Sequence, residues 1–413
     1  MENISGEIKI SSQGVKNIAE FKKKIEKTLN AKVTDLLGVI FGGAVDLDSS
    51  DIHIEPEERE ARIRLRIDGI LQDVIKISKE IHETILARIK LLAKIKMNVS
   101  DRPQDGRFSL GTVEIRVSAL PAENGESIVL RILNPKNLIE LGDLGLRKDL
   151  LTLFRKEIKK PNGMIIVTGP TGSGKTTTLY AFLKEVQTPE IKVITIEDPI
   201  EYHLPGISQT QVKKDKGYDF ASGLKSVMRQ DPDVILVGEV RDLETVDTAL
   251  QAALTGHLVF TTLHTNDAAG TIARLISLGA VPSNIGPAVN LAVAQRLVRK
   301  VCKKCGVLKK PSPEELQKIK TILKKVPPNI KIPKAKGCDY CNTTGYKGRV
   351  GIFEAFVVDD EMEKFIITSP SIAALKEKAR HRGMVTMLED GVMKVLEGIT
   401  TLEEVERVAG ESD

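Results

Sequence analysis

The sequence predicts an α/β protein with a parallel, doubly wound core sheet. A smaller α+β domain precedes the core, and a four-cysteine module and a helical C-terminus follow it. Three observations carry this reading. Strand-length apolar runs at Met164–Thr168, Val193–Ile196, Val234–Val237 and Leu258–Thr262 alternate with helical patterns, as strand–helix–strand units of a parallel sheet do. Apolar and polar residues alternate with period two over Ala61–Asp68 and Val113–Leu133, the pattern of half-buried strands. All four cysteines fall into two Cys-x-x-Cys pairs, with no thiol left over.

At 413 residues the chain is too long for one ordinary core, so about two or three globular units are expected. A hydrophobic content of 41% with 28% charged residues excludes wholesale disorder. The opening residues, Met1 to Gly6, lack the basic head and apolar stretch of a secretory signal. The longest apolar run, Leu36–Val45, contains three glycines and falls well short of the roughly 20 residues that span a bilayer. A cytoplasmic protein is expected, reaching any membrane through partners. The net charge of +5 comes from 61 basic and 56 acidic side chains that are interspersed, a balance that does not by itself indicate nucleic acid.

In chain order, residues 1–30 read as a Lys-rich arm with helical spacing at Phe21, Ile25 and Leu29. Residues 31–135 read as the α+β domain. In it an apolar stretch from Val33 leads into strands at Ser50–Pro56 and Ala61–Gly69 with a turn at Asp68-Gly69; an amphipathic helix over Ile81–Met97 follows, then renewed alternation. A linker around Leu141–Leu146 opens a core expected over 141–297. The cysteine module, with a Lys/Pro-rich insert between its pairs, is expected over 298–357. A helical domain with a polar tail is expected over 358–413.

Gly169-Pro170-Thr171-Gly172-Ser173-Gly174-Lys175-Thr176 fits the phosphate-binding loop pattern in full, after an apolar strand and before a helix that opens with Thr177. Glycines let backbone N–H groups turn inward around phosphates, and the helix N-terminus adds partial positive charge. Lys175 then reaches the β and γ phosphates of ATP, and the Thr176 hydroxyl ligates Mg²⁺.

Hydrolysis also needs a group that activates water at the carboxyl end of a neighbouring strand. Val234–Val237 ends in Gly238-Glu239, which makes Glu239 the candidate general base. Gly238 stands where many such enzymes carry a metal-holding aspartate, so Mg²⁺ is expected to rely on Thr176, water and another carboxylate. Ile196-Glu197-Asp198-Pro199-Ile200-Glu201 offers three acids. Glu197 is expected to reach the metal or its water, Asp198 caps a turn, and Glu201 is divided between site and surface. His257 and His264 bracket the Leu258–Thr262 strand, and a histidine at a strand end is placed to sense the γ phosphate by hydrogen bonding.

Cys302-x-x-Cys305 and Cys338-x-x-Cys341 suit a tetrahedral Zn²⁺ better than disulfides; a closed four-cysteine shell is structural, with no position open for chemistry. Lys303, Lys304 and Lys309 flank it and are read as a solvated basic face.

Taken together, the phosphate loop, Ile196–Glu201, Asp231–Asp242 and Gly256–Thr265 resemble the Walker A, aspartate box, Walker B and histidine box of type II/IV secretion ATPases, over roughly residues 33 to 405. The resemblance implies a RecA-like P-loop NTPase core. It also makes the upstream region the family's second N-terminal domain, whose arginines, here Arg107 and Arg116, close over the nucleotide phosphates. Arg131, Arg229 and Arg241 are further candidates of the same kind. Gly238-Glu239 in place of the metal-binding aspartate is itself a habit of this family. The paired cysteines favour the assembly motors over the retraction motors, which generally lack them.

By the same resemblance the expected protein is a homo-hexameric ATPase on the inner face of the cell membrane. It would drive an inner-membrane platform protein that adds pilin-like subunits to a filament, for type II secretion or type IV pilus biogenesis. Only some 30 residues precede the Arg-bearing domain, where such motors usually carry a further docking domain, so no docking partner is carried over. A rival expectation is a motor for DNA uptake or conjugation-type transfer. A more distant one is a zinc-ribbon ATPase that binds nucleic acid. Against direct binding, the chain has no Trp and only 4% aromatic residues, so base-stacking platforms are scarce.

Overall fold

The computed structural model describes residue 8 and residues 12–410. The opening of the expected arm, residues 1–7 and 9–11, and the last three residues of the polar tail lie outside the described residues. The chain forms two compact units. The first comprises Met1–Asn137, Cys302–Gly306 and Ala335–Gly348; the second comprises Leu138–Val301, Val307–Lys334 and Arg349–Asp413.

In the first unit, Asn17 caps α1 (Ile18–Thr28) by accepting the Glu20 N–H. The apolar stretch from Val33 is a second helix, α2 (Val33–Asp46). Gly43 in it serves packing: a Cβ there would lie 2.3 Å from the Phe21 ring, so α1 and α2 meet where only hydrogen fits. The strands β1 (Ser49–Pro56), β2 (Glu60–Ile67), β3 (Ile70–Ser78), β4 (Gln104–Leu110), β5 (Val113–Ala122) and β6 (Gly125–Leu133) form one antiparallel sheet in the order β3-β2-β1-β6-β5-β4. Asp68 and Gly69 close the β2–β3 hairpin with φ of 51° and 85°, the two positive values of a type I′ turn.

Alternation sorts the sheet. Ile52, Ile54, Ile63, Leu65, Ile115, Val117, Ile128 and Leu130 are buried on one face, each contributing about 1.5–3 kcal/mol by leaving water. The intervening charged residues line the other face. The helix α3 (Lys79–Leu92) stops short of the expected Met97. Lys94 turns left-handed with φ of 56°, Ile95 N–H returns to Lys90 C=O at 2.9 Å and Lys94 N–H to Leu91 C=O at 3.3 Å, a Schellman closure that ends the helix.

The second unit opens with a short 3₁₀ turn at Leu141–Leu144 and α4 (Lys148–Glu157), then alternates β7 (Gly163–Thr168), α5 (Lys175–Val186), β8 (Val193–Glu197), β9 (Ser208–Gln211), α6 (Phe220–Met228), β10 (Val234–Val237), α7 (Leu243–Leu254), β11 (Leu258–Leu263), α8 (Ala268–Ser277), α9 (Pro282–Ala288) and β12 (Val289–Val301). A small hairpin of β13 (Val307–Lys309) and β14 (Ile332–Lys334) flanks α10 (Pro313–Ile322). The chain returns as β15 (Tyr346–Val357) and ends in α11 (Asp360–Ile367), α12 (Ile372–His381), α13 (Met387–Leu396) and α14 (Leu402–Ala409).

The core sheet runs β15-β12-β7-β11-β10-β8-β9, and every neighbouring pair from β12 to β9 is parallel. Strands β7, β8, β10 and β11 are buried at every position, which is why they read as unbroken apolar runs in the sequence. Two further members of the sheet, β12 and β15, include residues of the 298–357 segment. Of that segment, only the cysteine loops Cys302–Gly306 and Ala335–Gly348 group with the first unit. The fold is thus an α/β core with a helical C-terminus, an α+β unit and a four-cysteine cluster.

Candidate functional site

The phosphate loop lies at the carboxyl end of β7, the strand between β12 and β11. Two of its glycines are fixed by space as well as by backbone angle. Gly169 (φ 148°) would place a Cβ 2.4 Å from the Gln295 carbonyl, and Gly174 (φ 89°) would place one 2.8 Å from Gln295 Nε2. Gln295 is itself buried in β12 and accepts the Thr178 hydroxyl at 2.7 Å, so it braces the loop from the neighbouring strand. Pro170, Thr171 and Gly172 are exposed. Ser173 is buried, and its Oγ has no hydrogen-bond partner among the described residues. An orphaned hydroxyl inside a loop of inward-turned N–H groups is a cradle that a bound phosphate completes.

Lys175 opens α5 and bends back onto the loop, donating to the carbonyls of Gly169 at 2.7 Å and Pro170 at 3.2 Å. Burial lowers its pKa, while Glu239 and Glu201 act in the opposite sense. Both carboxylates therefore sit within electrostatic reach of the phosphate-binding amine.

Glu239 is pinned from both sides. Gly238 N–H donates to Ile196 C=O on β8 at 2.8 Å, and Val240 N–H donates to Thr262 C=O on β11 at 3.2 Å. Its largely buried carboxylate meets Arg241 at 2.6 Å and His264 Nε2 at 3.8 Å. His264 follows β11, where Thr265 ties the turn to the end of β7 through its N–H and hydroxyl, each 2.8 Å from Thr168 Oγ1. Burial depresses the His264 pKa first, with Lys175 adding to it, Glu239 opposing and Arg241 again lowering. Lys175, Glu239, His264, Arg241 and Glu201 thus gather at one end of the sheet.

Two expected site residues stand outside that gathering. Glu197, expected to reach the metal or its water, is buried at the foot of α5. There its carboxylate accepts hydrogen bonds from Tyr180, from Thr195 at 2.6 Å and from Gln209 at 3.2 Å. Burial raises its pKa, against those donors. Glu197 turns into the packing beside α5; the acids that act on Lys175 are Glu239 first and then Glu201, four residues on, which also acts on Glu197. His257 is a correction to the strand-end argument. It lies at the amino end of β11, where its Nδ1 pairs with Ala252 C=O at 3.0 Å and its own carbonyl accepts Gly163 N–H at 3.1 Å. A strand of this length puts it about 20 Å from the loop.

In the first unit, Arg107 on β4 and Arg116 on β5 are cross-strand partners, and both approach Glu114, at 3.8 and 3.9 Å. Arg107 is 60% exposed. Arg131, opposite Arg116 on β6, pairs with the buried Asp51 at 3.1 Å. Arg229 donates within its own helix, to Lys225 C=O and Ser226 Oγ.

The cysteine sulfurs of Cys302, Cys305, Cys338 and Cys341 all lie within 4.8 Å of one another. Closest pairs stand at 3.7, 3.8 and 3.9 Å, and a tetrahedron with Zn–S bonds of about 2.3 Å has S···S edges of about 3.8 Å. Backbone N–H groups of Cys338 and Gly345 donate to Cys341 Sγ at 3.2 and 3.3 Å. The donor set fits a closed metal site. Beside it, Lys304 Nζ lies 4.2 Å from the centre of the Tyr340 ring.

Sequence reasoning passed over Gln295 and Tyr180. A lone polar residue at the end of the apolar run Leu291–Ala294 was the available signal for Gln295; nothing local marks Tyr180.

The comparisons with known proteins agree with this geometry. The model of the type II/IV secretion system protein family matches residues 26–407. The chain is 41% identical to the type II secretion system protein E of Pseudomonas aeruginosa, over 99% of its own length and 82% of that protein. It is 45% identical to the type IV pilus assembly ATPase PilB of Thermus thermophilus over 87% of its length, and there it spans only 41% of the relative. Among solved structures, the pilus retraction motor PilT with bound ADP aligns with a TM-score of 0.63 and 28% identity, covering 91% of this chain and 96% of that one. With the phosphate loop, its flanking acids and the four cysteines in place, the chain belongs to the type II/IV secretion system protein family.

Proposed function

We propose that this chain is an ATP-driven motor that assembles a filament of pilin-like subunits, for type IV pilus biogenesis or type II secretion. It hydrolyses ATP. The observation that carries the reading is the convergence of Lys175, Glu239 and His264 on a braced phosphate loop, in a chain whose relatives are named as pilus-assembly and secretion proteins.

Backbone N–H groups of the loop and the N-terminus of α5 hold the phosphates, and Lys175 leaves the Gly169 and Pro170 carbonyls to reach them. Glu239 accepts the proton of the attacking water once its pairing with Arg241 loosens, and His264 hydrogen-bonds toward the γ phosphate. Thr176 and Glu201 are the residues that would hold Mg²⁺. When bound, that ion neutralises charge developing on the phosphate oxygens. By the family resemblance, Arg107 and Arg116 are the guanidinium groups assigned to the nucleotide phosphates. The four cysteines hold a structural Zn²⁺.

A homo-hexamer at the inner face of the cell membrane, engaging a polytopic platform protein, is the assembly this reading implies. No described helix is long and apolar enough to cross a membrane. The test is a pull-down from native membranes with the Glu239→Gln protein held in ATP. Recovery of a polytopic membrane protein with pilin-like subunits supports the reading, and the subunits' identity separates secretion from pilus assembly. Recovery of nucleic acid with its processing proteins alone overturns the assembly role and leaves the ATPase.

A further inference from the structure

In the first unit a buried ion pair takes no part in the chemistry above. Lys90, in the last turn of α3, is 2% exposed, and its Nζ lies 2.6 Å from the Glu126 carboxylate at the start of β6. Replacing such a pair with apolar residues of similar volume is often neutral or stabilising, so its presence calls for a task other than stability. That task is visible in the third partner. Lys90 Nζ also donates to the Val99 carbonyl at 2.8 Å, in the loop between α3 and β4.

The same carbonyl accepts Gln104 Nε2 at 2.8 Å. Gln104, the first residue of β4, also exchanges a pair of hydrogen bonds with the Lys96 backbone, each at 3.1 Å. Two residues further on, a Cβ at Gly106 would come within 2.6 Å of Ala93 C=O and 2.7 Å of the Ile95 side chain. The end of α3, the loop and the start of β4 are therefore one locked body.

The lock matters because β4 is the edge of its sheet and ladders only to β5. Gln104, Gly106, Phe108 and Leu110 turn toward α3 and the core, while Asp105, Arg107 and Ser109 are exposed on the other face. A slip of one residue would exchange the two sets and bury Arg107. The two-residue turn Gly111-Thr112 and the buried face set its register against β5; the lock adds the placement of this singly laddered edge against the end of α3.

We infer that Lys90, with Glu126 and Gln104, is a positioning residue that holds the start of β4 against the end of α3 and so places Arg107 on the open face of the sheet. The inference rests on the proposed role of Arg107 at the nucleotide phosphates.

Four full-length proteins test it by steady-state ATP turnover, affinity for a fluorescent ATP analogue and thermal unfolding: Arg107→Ala, Lys90→Met, Gln104→Ala and the double variant Lys90→Met/Glu126→Leu. The double variant removes the unpaired carboxylate left by Lys90→Met and should recover a melting temperature near that of the unsubstituted protein. It should nonetheless keep a kcat about tenfold to a hundredfold down, the size of effect that slight misplacement of a catalytic group produces, with analogue affinity unchanged. A stable double variant with a kcat within twofold of the unsubstituted protein overturns the inference if Arg107→Ala is slow. If Arg107→Ala itself turns over normally, the reading of Arg107 fails, and the inference falls with it.

Discussion

The phosphate loop and the four-cysteine cluster were both legible as short motifs, yet they are held by different means. The loop is shaped by the protein. Its strand is buried on both faces, its glycines are fitted against Gln295, and its helix is tied to β8 through Tyr180 and Glu197. The cysteine cluster joins two loops 36 residues apart, and Cys305 and Cys338 are only half-buried. The first site is built before any ligand arrives, whereas the second rests on two loops meeting at four sulfurs, so its cohesion is expected to come from the metal we propose it holds. A ligand site made from scaffold and one made from ligands should fail in different ways.

The largest difference should come from Lys175→Ala. Loss of the amine should lower ATP turnover by about a hundredfold to a thousandfold or more, with the melting temperature nearly unchanged. A large loss of stability would mean the loop is less preformed than described. Glu239→Gln comes next: the protein should bind ATP and hydrolyse it at a small fraction of the normal rate. Near-normal hydrolysis would move the general base to another acid, with Glu201 the first to test.

The cysteine site should answer in the opposite sense. Replacing Cys302 and Cys338 by Ser, or removing the metal with a chelator, should release about one zinc per chain by elemental analysis and destabilise the first unit, since structural zinc sites contribute folding energy directly. Affinity for a fluorescent ATP analogue should hold. A protein purified without metal, or one whose unfolding ignores the chelator, would sink the contrast. The smallest effect belongs to Tyr180→Phe, which takes one donor from the buried Glu197 carboxylate. It should cost about 1–3 kcal/mol of stability and leave turnover within a fewfold. A collapse of turnover instead would return Glu197 to the chemistry.

Legibility followed the distance over which each feature is specified. The parallel strands, the Asp68-Gly69 turn and the phosphate loop are written in contiguous residues, because burial on both faces, positive φ and phosphate wrapping each demand particular side chains locally. Strand-end reasoning separated the two histidines only once the direction of β11 was known, since a strand has two ends and ligands gather at one. The unbroken apolar run that identifies β8 as a strand does not say which way its last residue, Glu197, faces; which side of β8 packs beside α5 is a matter of sheet order.

By itself, the sequence determined the parallel sheet, an α+β first domain of half-buried strands, the phosphate loop and a metal-competent set of cysteines, all of them short-range patterns enforced by backbone geometry or donor chemistry. Only the tertiary structure decided that β12 and β15 complete the core sheet and that Gln295 braces a loop 117 residues away from it at Thr178. It also decided that Glu197 turns into the packing beside α5, and that a buried Lys90 pairs with Glu126 and holds the Val99 carbonyl. Those outcomes depend on which elements become neighbours, and neighbourhood is settled by packing across the whole chain rather than by any segment of it.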